Sequence, residues 1–195
     1  MKSRFHLRLK VDTVAEALER CFGTVGCKRG QYPFAHTRDN GFFKALAVDL
    51  IEINDKLGFI LSCPRRTGKT WYLFMFMEFF NLLKNFPDAW EYQEVNSLDC
   101  KYVRAENFRY PFASWASFQE ALKAPILFLD NLGYEEAGTH DRLAKELIQT
   151  LIKTRSDCRL LTFIATPYDF ETLMEAYGEI VASCICDDYL YSDFD

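Results

Sequence analysis

The sequence predicts an α/β fold in which three layers, helix, sheet and helix, are built around a parallel β-sheet. Strand-like and helix-like segments alternate along the chain, which is typical of parallel sheets with helical crossovers. The segments 57–62, 125–130 and 159–165 are nearly continuous apolar runs, as expected for strands that are covered on both faces. With 195 residues, 49% of them hydrophobic, the chain is long enough to bury the core of one compact domain.

The first predicted elements precede the sheet. Residues 4–10 alternate between apolar and polar side chains, which indicates a short strand or an extended arm. Asp12 is a suitable N-cap for a helix over 13–21, and the glycine-containing residues 23–30 are expected to form a loop. A second helix is predicted over about 40–54, where apolar residues recur at helical spacing.

The central elements flank a short loop. Segment 57–62 is the first core strand, and the helix after it, over about 69–86, is apolar almost all round. Such a helix is buried on most sides, so its methionines and phenylalanines are expected to be core residues. Residues 87–99 are predicted as a polar loop, and residues 101–105 as a second strand of the sheet.

The C-terminal half continues the alternation. Its predicted elements are a short helix over 117–122, a strand over 125–130, an amphipathic helix over 139–154, a strand over 159–165 and a helix over 171–176, which is capped by Asp169 or by the Tyr168–Asp169 pair. The last residues are acidic and without a regular pattern. The chain is therefore divided into a basic N-terminal arm and helix (1–39), a central α/β domain (40–186) and an acidic tail (187–195).

The loop after the first core strand carries a phosphate-binding pattern. Its sequence, Cys63-Pro-Arg-Arg-Thr-Gly-Lys-Thr70, matches the P-loop pattern G-x-x-x-x-G-K-[ST], except that Cys63 stands in place of the first glycine. In a P-loop, successive backbone N–H groups and the N-terminus of the following helix hold the phosphates. Lys69 would reach the β- and γ-phosphates, and the Thr70 hydroxyl would bind Mg²⁺. The predicted nucleotide-binding residues are Cys63, Pro64, Arg65, Arg66, Thr67, Gly68, Lys69 and Thr70.

An acidic residue ends the most apolar strand. Asp130 lies sixty residues after Thr70 and follows the run Pro125-Ile-Leu-Phe-Leu129. In this class of fold ligands bind beyond the carboxyl ends of the strands, so Asp130 is expected beside the P-loop. There it would hold Mg²⁺ opposite the P-loop hydroxyl, and we predict Thr70 and Asp130 as the metal-binding residues. The alternative is a buried strand-end acid next to an accidental Gly-Lys-Thr.

Three segments, in order, resemble one family. Residues 125–135 are similar to the segment around the Walker-B acid in the DnaC/IstB-like AAA+ ATPases, which are helicase loaders of replication and ATPase subunits of IS21-type transposition. Residues 160–173 resemble the sensor-1 strand of the family and the helix after it, and residues 177–185 resemble the segment that closes the domain. The resemblance covers about residues 40–186. It implies an AAA+-like P-loop domain with a RecA-type parallel sheet that binds ATP and Mg²⁺.

The chain differs from the family at the positions of the residues that hydrolyse ATP. The family has an acid directly after the Walker-B aspartate, whereas this chain has Asn131, which cannot accept a proton. The sensor-1 asparagine, which orients the attacking water, falls at Thr166 or Pro167, and two arginines of the closing segment fall at Ile180 and Cys184. The resemblance therefore places the catalytic positions at Asp130, Asn131 and Thr166.

These departures favour an ATP-binding protein with slow or absent hydrolysis. Two alternatives stay open, an active ATPase of DNA replication or transposition and a nucleotide-free interaction subunit that retains the fold. A small-molecule kinase would need an arginine-rich lid, and residues 135–158 hold Arg142 and Arg155 but no such cluster. The resemblance implies action through a protein partner, namely a replicative helicase, a transposase or a paralogous subunit, and assembly into oligomers.

The charge distribution and one aromatic segment suggest single-stranded DNA as a further candidate ligand. Residues 1–70 hold 13 Lys and Arg against 7 Asp and Glu, whereas residues 71–195 hold 10 against 21. A basic front half is suited to nucleic acid, although a solvated surface without a dense basic run is the alternative. An aromatic segment, interleaved with one arginine, would stack on bases or pack in the core. It consists of Phe108, Arg109, Tyr110, Phe112 and Trp115.

The cysteines and the N-terminus bear on location. Seven cysteines with scattered spacing fit a reducing compartment better than a disulfide framework. The N-terminus lacks the apolar core of a secretory signal, and no apolar run is long enough to span a bilayer. We expect a cytoplasmic protein without a membrane partner. Ordinary cysteines are favoured over a zinc site, which would combine Cys21, Cys27, His6 and His36 at an unrecognised spacing.

Overall fold

A computed structural model describes residues 5–29, 40–53, 56–62, 68–92, 97–109, 111–134 and 141–193. Within these ranges the helices are α1 (Val11–Arg29), α2 (Asn40–Glu52), α3 (Lys69–Leu83), α4 (Pro111–Lys123), α5 (Asp141–Asp157) and α6 (Phe170–Asp188). The strands are β1 (Phe5–Leu7), β2 (Gly58–Ser62), β3 (Trp90–Tyr92), β4 (Cys100–Arg104), β5 (Ile126–Asp130), β6 (Leu161–Thr166) and β7 (Leu190–Asp193).

Five strands form one parallel sheet in the order β4-β5-β6-β2-β7. A separate antiparallel pair consists of β1 and β3. Every residue of β2, β5 and β6 is buried, because helices cover both faces of the sheet at these strands. This burial explains the apolar runs from which the strands were predicted. The predicted parallel α/β sheet is confirmed.

The sheet separates two buried clusters of side chains. Side chains alternate along β2, so that Phe59 and Leu61 join the cluster that contains α1, α2 and α3, whereas Ile60 joins the cluster that contains α4, α5 and α6. The sheet is therefore the middle layer of three, as the sequence predicted.

Aromatic rings fill the space between α3 and the sheet. Phe163 of β6 stacks on Phe59 of β2 and on Phe128 of β5, with centroid distances of 5.7 Å and 5.0 Å. Two residues of α3 contact the same ring, Phe76 at 5.2 Å and Phe80 edge-on at 5.5 Å. All five side chains are fully buried. The apolar residues of α3 that face the sheet are therefore core residues, which confirms the prediction.

A buried arginine joins three elements on the other face of the sheet. Arg155 of α5 donates to the carbonyl oxygens of Ala121 and Ala124, both at 2.7 Å, where α4 ends. It also donates to the Leu161 carbonyl at 2.5 Å and to the Thr162 hydroxyl at 2.9 Å, both on β6. The last carbonyls of a helix have no partner inside it, so the guanidinium completes the end of α4. Burial lowers the pKa of Arg155 to about 10, which still leaves the group charged at neutral pH.

Helix α1 is longer than predicted. It continues to Arg29, although the glycines of segment 23–30 favoured a loop. The reason is tertiary packing, since Phe22 and Val25 are buried and α1 packs against α2 and α3. Such contacts outweigh the cost of about 1 kcal/mol that one glycine adds to a helix.

Four other elements also differ from the expectation. Strand β3 lies within the predicted loop 87–99, where it pairs with β1. Helix α4 begins at 111 and α6 continues to 188 through a kink at Gly178, whose φ is 76°. Strand β7 lies in the predicted tail and pairs with β2. The predicted division of the chain after residues 39 and 186 stays a prediction. In the structure β7 belongs to the central sheet, and α1 packs against α2 and α3.

Candidate functional site

The candidate site lies where α3 begins, close to the carboxyl end of β2. Gly68 precedes α3 with a φ of 91° and a ψ of 15°, a left-handed conformation that glycine adopts without strain. Lys69 is 8% exposed, so its charged side chain is held in the protein at the start of this helix. The first N–H groups of a helix have no partner inside it and attract anions. Five predicted nucleotide-binding residues lie outside the described residues and stay predictions, namely Cys63, Pro64, Arg65, Arg66 and Thr67.

The Asp130 carboxylate connects α3 to β5. It is 1% exposed, and its Oδ2 accepts a hydrogen bond of 2.9 Å from the Thr70 hydroxyl. The same oxygen accepts a hydrogen bond of 2.6 Å from the Tyr102 hydroxyl, and Oδ1 accepts one of 2.9 Å from the backbone N–H of Asn131. Two predicted metal-binding residues, sixty positions apart in sequence, are therefore in contact.

Two residues of β4 belong to this site but were not predicted from the sequence. The Tyr102 ring stacks on Phe74 of α3 at a centroid distance of 4.9 Å. Burial, and then the hydrogen bond to Asp130, raise the pKa of Tyr102 to about 12, so its hydroxyl remains a donor at neutral pH. Arg104 lies opposite Asp130 in the β4–β5 register, and its Nε donates to the Tyr102 hydroxyl at 3.3 Å. Their spacing of two residues along a strand was the available signal.

Residues after β4 and β5 extend the same network. Asn131 has a φ of 61°, a left-handed conformation that asparagine tolerates better than most residues. Its side-chain amide donates to Glu106 Oε1 at 3.4 Å. Glu106 lies in the 3-10 helix Ala105–Arg109 that follows β4, and its Oε1 is 3.9 Å from Arg104. The sequence therefore placed Asn131 correctly at the end of β5 but gave no indication of its carboxylate neighbour.

Thr166 makes its hydrogen bonds to backbone groups of the protein. It is fully buried at the end of β6, and its hydroxyl donates to the Leu132 carbonyl at 3.0 Å while accepting from the Tyr168 N–H at 3.1 Å. Tyr168 in turn donates to the Gly133 carbonyl at 3.2 Å. These contacts hold the turn after Asn131 in place. The predicted catalytic role of Thr166 stays a prediction.

The oxygen atoms at this site suit a magnesium ion. Mg²⁺ prefers hard oxygen donors, and at nucleotide sites one or two protein groups hold it together with phosphates and water. The Thr70 hydroxyl and the Asp130 carboxylate are such groups. The residues present therefore fit the predicted ion.

The positions where the resemblance expects arginines lie on α6. Ile180 is 61% exposed, whereas Cys184 is partly buried and its pKa is raised by burial. The arginines considered for a kinase lid do not gather either, because Arg142 is on the surface of α5 and Arg155 is fully buried. No arginine cluster forms in the part of α5 and α6 that the structure describes.

The aromatic segment divides between the core and the surface. Phe108 is fully buried and meets Phe118 edge-on at 5.9 Å. Trp115 is 56% exposed and stacks on Phe118 at 5.6 Å. Tyr110, and the side chains of Arg109 and Phe112, lie outside the described part of the structure. Core packing therefore accounts for Phe108, and Trp115 alone among the described side chains presents a ring to solvent here.

The zinc alternative finds no support in the described residues. Cys21 is buried and Cys27 is exposed on α1, and His36 lies outside the described ranges. Within those ranges no group of three or more His, Cys, Asp and Glu residues is arranged to hold a metal ion.

The described helices include none with the length and apolar character needed to cross a membrane.

Comparisons with known proteins identify similar structures. No protein-family model matches the chain, and no curated protein matches it. The crystal structure of DnaI is 21% identical, covering 83% of this chain and 88% of its own, with a TM-score of 0.56. The crystal structure of the DnaC helicase loader is 17% identical, covering 82% of this chain and 93% of its own, with a TM-score of 0.60. The replication initiator DnaA bound to AMPPCP and single-stranded DNA is 13% identical, covering 77% of this chain and 46% of its own, with a TM-score of 0.53.

At these identities the similarity shows the fold. The chain has a three-layer α/β fold that it shares with the DnaC helicase loader and with domain III of the replication initiation protein DnaA. The resemblance on which the sequence prediction rested is therefore supported at the level of the fold.

Proposed function

We propose that this protein binds ATP with Mg²⁺ at the start of α3 and acts through a protein partner, like the helicase loaders that it resembles, with slow or absent hydrolysis. The observation that carries the proposal is the hydrogen bond between Thr70 and Asp130. It joins the two predicted nucleotide-binding motifs at the carboxyl ends of the parallel strands, where ligands bind in such folds.

Each residue of the site has a role that follows from its position. The N–H groups at the start of α3 would donate to the phosphates, and Gly68 would let the backbone approach them because it has no Cβ. Lys69 would neutralise phosphate charge. Thr70 and Asp130 would hold Mg²⁺, which would neutralise phosphate charge. The result is a protein whose surface around the site depends on the bound nucleotide.

Slow turnover is proposed from the residues that replace the usual hydrolytic groups. Asn131 carries no carboxylate next to Asp130, and the exposed Ile180 occupies a position where the resemblance expects an arginine. An arginine finger contributes roughly 10³–10⁵ to the rate of hydrolysis in P-loop enzymes. Bound ATP would therefore persist and act mainly as a conformational ligand.

The partner and the second ligand are proposed from the structural neighbours. One of them is named a helicase loader, and a DnaA structure contains single-stranded DNA. We therefore propose a replicative helicase as the partner and single-stranded DNA as a further ligand, both in the cytoplasm. A transposase is the alternative from the other branch of the resemblance. A paralogous subunit in a mixed oligomer would supply the missing arginine.

The nucleotide proposal is tested by binding of a fluorescent ATP analogue with and without Mg²⁺. Lys69→Ala should weaken binding about tenfold or more, because losing one hydrogen bond to a charged group costs about 1.5–3 kcal/mol. Thr70→Val, which keeps the side-chain shape, should remove the effect of Mg²⁺ on affinity. Lys153→Ala, on the exposed face of α5, is the matched control and should bind like the parent. A folded Lys69→Ala protein with parental affinity would contradict the site assignment.

The DNA proposal needs a separate measurement. Binding to a single-stranded oligonucleotide should weaken as salt rises, because Lys and Arg side chains displace counterions from phosphates. Charge reversal at Lys28 and Arg29, at the end of α1, should weaken this binding and reduce its salt dependence. Binding that is absent, or that does not respond to salt, removes DNA from the ligands of this protein.

A further inference from the structure

One carboxylate next to the site has no assigned role. Glu106 is the second residue of the 3-10 helix after β4, and its side chain is 29% exposed overall. Its two oxygens differ, because Oε1 accepts from the Asn131 amide whereas Oε2 is buried and has no partner among the described residues. A buried carboxylate oxygen without a hydrogen bond is unfavourable, and in native proteins such a group usually has a specific reason.

The contacts of Glu106 place it in one continuous network with the metal-binding residues. Its Oε1 is 3.9 Å from Arg104, which donates to Tyr102, and Tyr102 donates to Asp130. On the other side Asn131 connects Glu106 to Asp130, since its side chain donates to Glu106 and its backbone N–H donates to Asp130. These groups lie on β4, in the 3-10 helix after it and at the end of the neighbouring strand β5.

The geometry assigns Glu106 as the proton acceptor for the water that attacks ATP, so that the slow hydrolysis proposed above proceeds without an acid at position 131. This inference rests on the proposed function. Asn131 cannot accept a proton, but its side chain donates to one oxygen of the Glu106 carboxylate, and the other oxygen has no partner within the described ranges. The proposed proton acceptor therefore lies in the 3-10 helix after β4, whereas the resemblance expects an acid at the end of β5.

The step that Glu106 would serve is ordinary hydrolysis. The water oxygen forms a bond to the γ-phosphorus while the bond from that phosphorus to the β–γ bridging oxygen breaks, and its electron pair leaves with ADP. The water proton passes to Glu106 Oε2 and from there to solvent. The products are ADP and inorganic phosphate.

A purely structural role for Glu106 makes a different prediction. If the carboxylate only held the end of β4 to Asn131, its loss would lower the stability of the protein and would not reduce turnover separately from ATP affinity. A proton acceptor behaves in the opposite way, because functional groups are often held at a cost to stability. The two roles are separated by measuring ATP affinity, turnover and thermal unfolding on the same variants.

The experiment compares the full-length parent with Glu106→Gln and with Glu146→Gln, a control glutamate on the surface of α5. For Glu106→Gln we expect ATP hydrolysis, followed by phosphate release, to fall by about 10²–10⁴-fold, the usual contribution of general base catalysis. The affinity for the fluorescent ATP analogue should stay within about threefold of the parent, less than half a tenfold step in free energy. The melting temperature without nucleotide should not fall. The control should match the parent in all three measurements.

A double variant provides the positive test. Glu106→Gln combined with Asn131→Asp exchanges the acid and the amide, and aspartate tolerates the left-handed backbone at 131. It should recover turnover by about tenfold or more over Glu106→Gln alone. If Glu106→Gln does not fold, Glu106→Asp, which keeps the charge but withdraws it by one methylene, should show the same loss of turnover.

The outcomes distinguish the inference from the proposed function. A parent protein that fails to bind the ATP analogue contradicts the proposed function itself. A parent that binds ATP while turning it over no faster than Glu106→Gln, including the case in which neither shows turnover, overturns the role of Glu106 and leaves the binding site standing. Loss of affinity or of melting temperature in proportion to turnover also overturns it, in favour of a structural role.

Discussion

Replacing the buried arginine of α5 tests how the sheet and its helices are held in register. Arg155→Met keeps a side chain of similar length without any donor. The variant removes the hydrogen bonds to the carbonyl oxygens of Ala121, Ala124 and Leu161 and to the Thr162 hydroxyl, which lie 2.5–2.9 Å from the guanidinium. Because the site is fully buried, water cannot replace the lost donor.

The expected loss follows from two opposing contributions. Three of the four contacts are buried, and each buried acceptor left without a donor costs about 1–3 kcal/mol, so together they cost roughly 3–9 kcal/mol. Removing the buried charge returns several kcal/mol, because taking an ion out of water is itself unfavourable. We therefore expect a net loss of about 3–5 kcal/mol in the free energy of unfolding.

Urea denaturation measures this loss directly. With a slope of about 2 kcal/mol per molar, the midpoint should fall by about 1.5–2.5 M. Arg142→Met, on the exposed surface of the same helix, is the matched control and should shift the midpoint by less than about 0.3 M, as surface substitutions usually do. An Arg155→Met midpoint that equals that of the control would refute the idea that this side chain holds α4 to β6.

Three further outcomes can be measured. Gly58→Ala should destabilise the protein by roughly 2–4 kcal/mol in urea denaturation, because a Cβ would lie 1.7 Å from the Thr162 carbonyl oxygen at a φ of 152°, and normal stability would contradict this close approach. Tyr102→Phe should reduce the loss of stability that the parent shows as pH rises from 10 to about 12. The ordinary pKa of tyrosine is 10 and that of Tyr102 in the folded protein is raised to about 12, so the stabilising contribution of Tyr102 disappears over this range; absorbance of ionised tyrosine checks it. Asp169→Asn should flatten the acid limb of the stability curve, because the hydrogen bond from Thr172 lowers the pKa of this N-cap and its contribution is lost as pH falls below 3.8; an unchanged acid limb would argue against the cap.

Local patterns were sufficient for most of the elements that carry the site. The apolar runs became β2, β5 and β6 because residues buried on both faces of a sheet must be apolar along the whole strand. Likewise Gly68, Lys69 and Thr70 lie at the start of α3, and Asp169 caps α6, because these features depend on residues a few positions apart. The contact between Thr70 and Asp130 was predictable because both follow or end strands of one parallel sheet.

Other features depended on packing between distant segments. Helix α1 passes through glycines because its apolar face is buried against α2 and α3. Strand β7 forms from an acidic segment because it pairs with β2 at the edge of the sheet. In both places the local signal favoured a loop or an irregular tail, and long-range contacts decided otherwise.

The sequence by itself determined the alternation of strands and helices, the P-loop pattern with its following helix, and the acid at the end of β5. The tertiary structure alone decided that β4 lies beside β5, in a register that sets Arg104 opposite Asp130 and brings Tyr102 and Glu106 to the same network. The physical reason is that strand pairing joins residues about twenty-five positions apart through hydrogen bonds and side-chain packing. No periodicity within a single segment encodes the identity of its neighbour in the sheet.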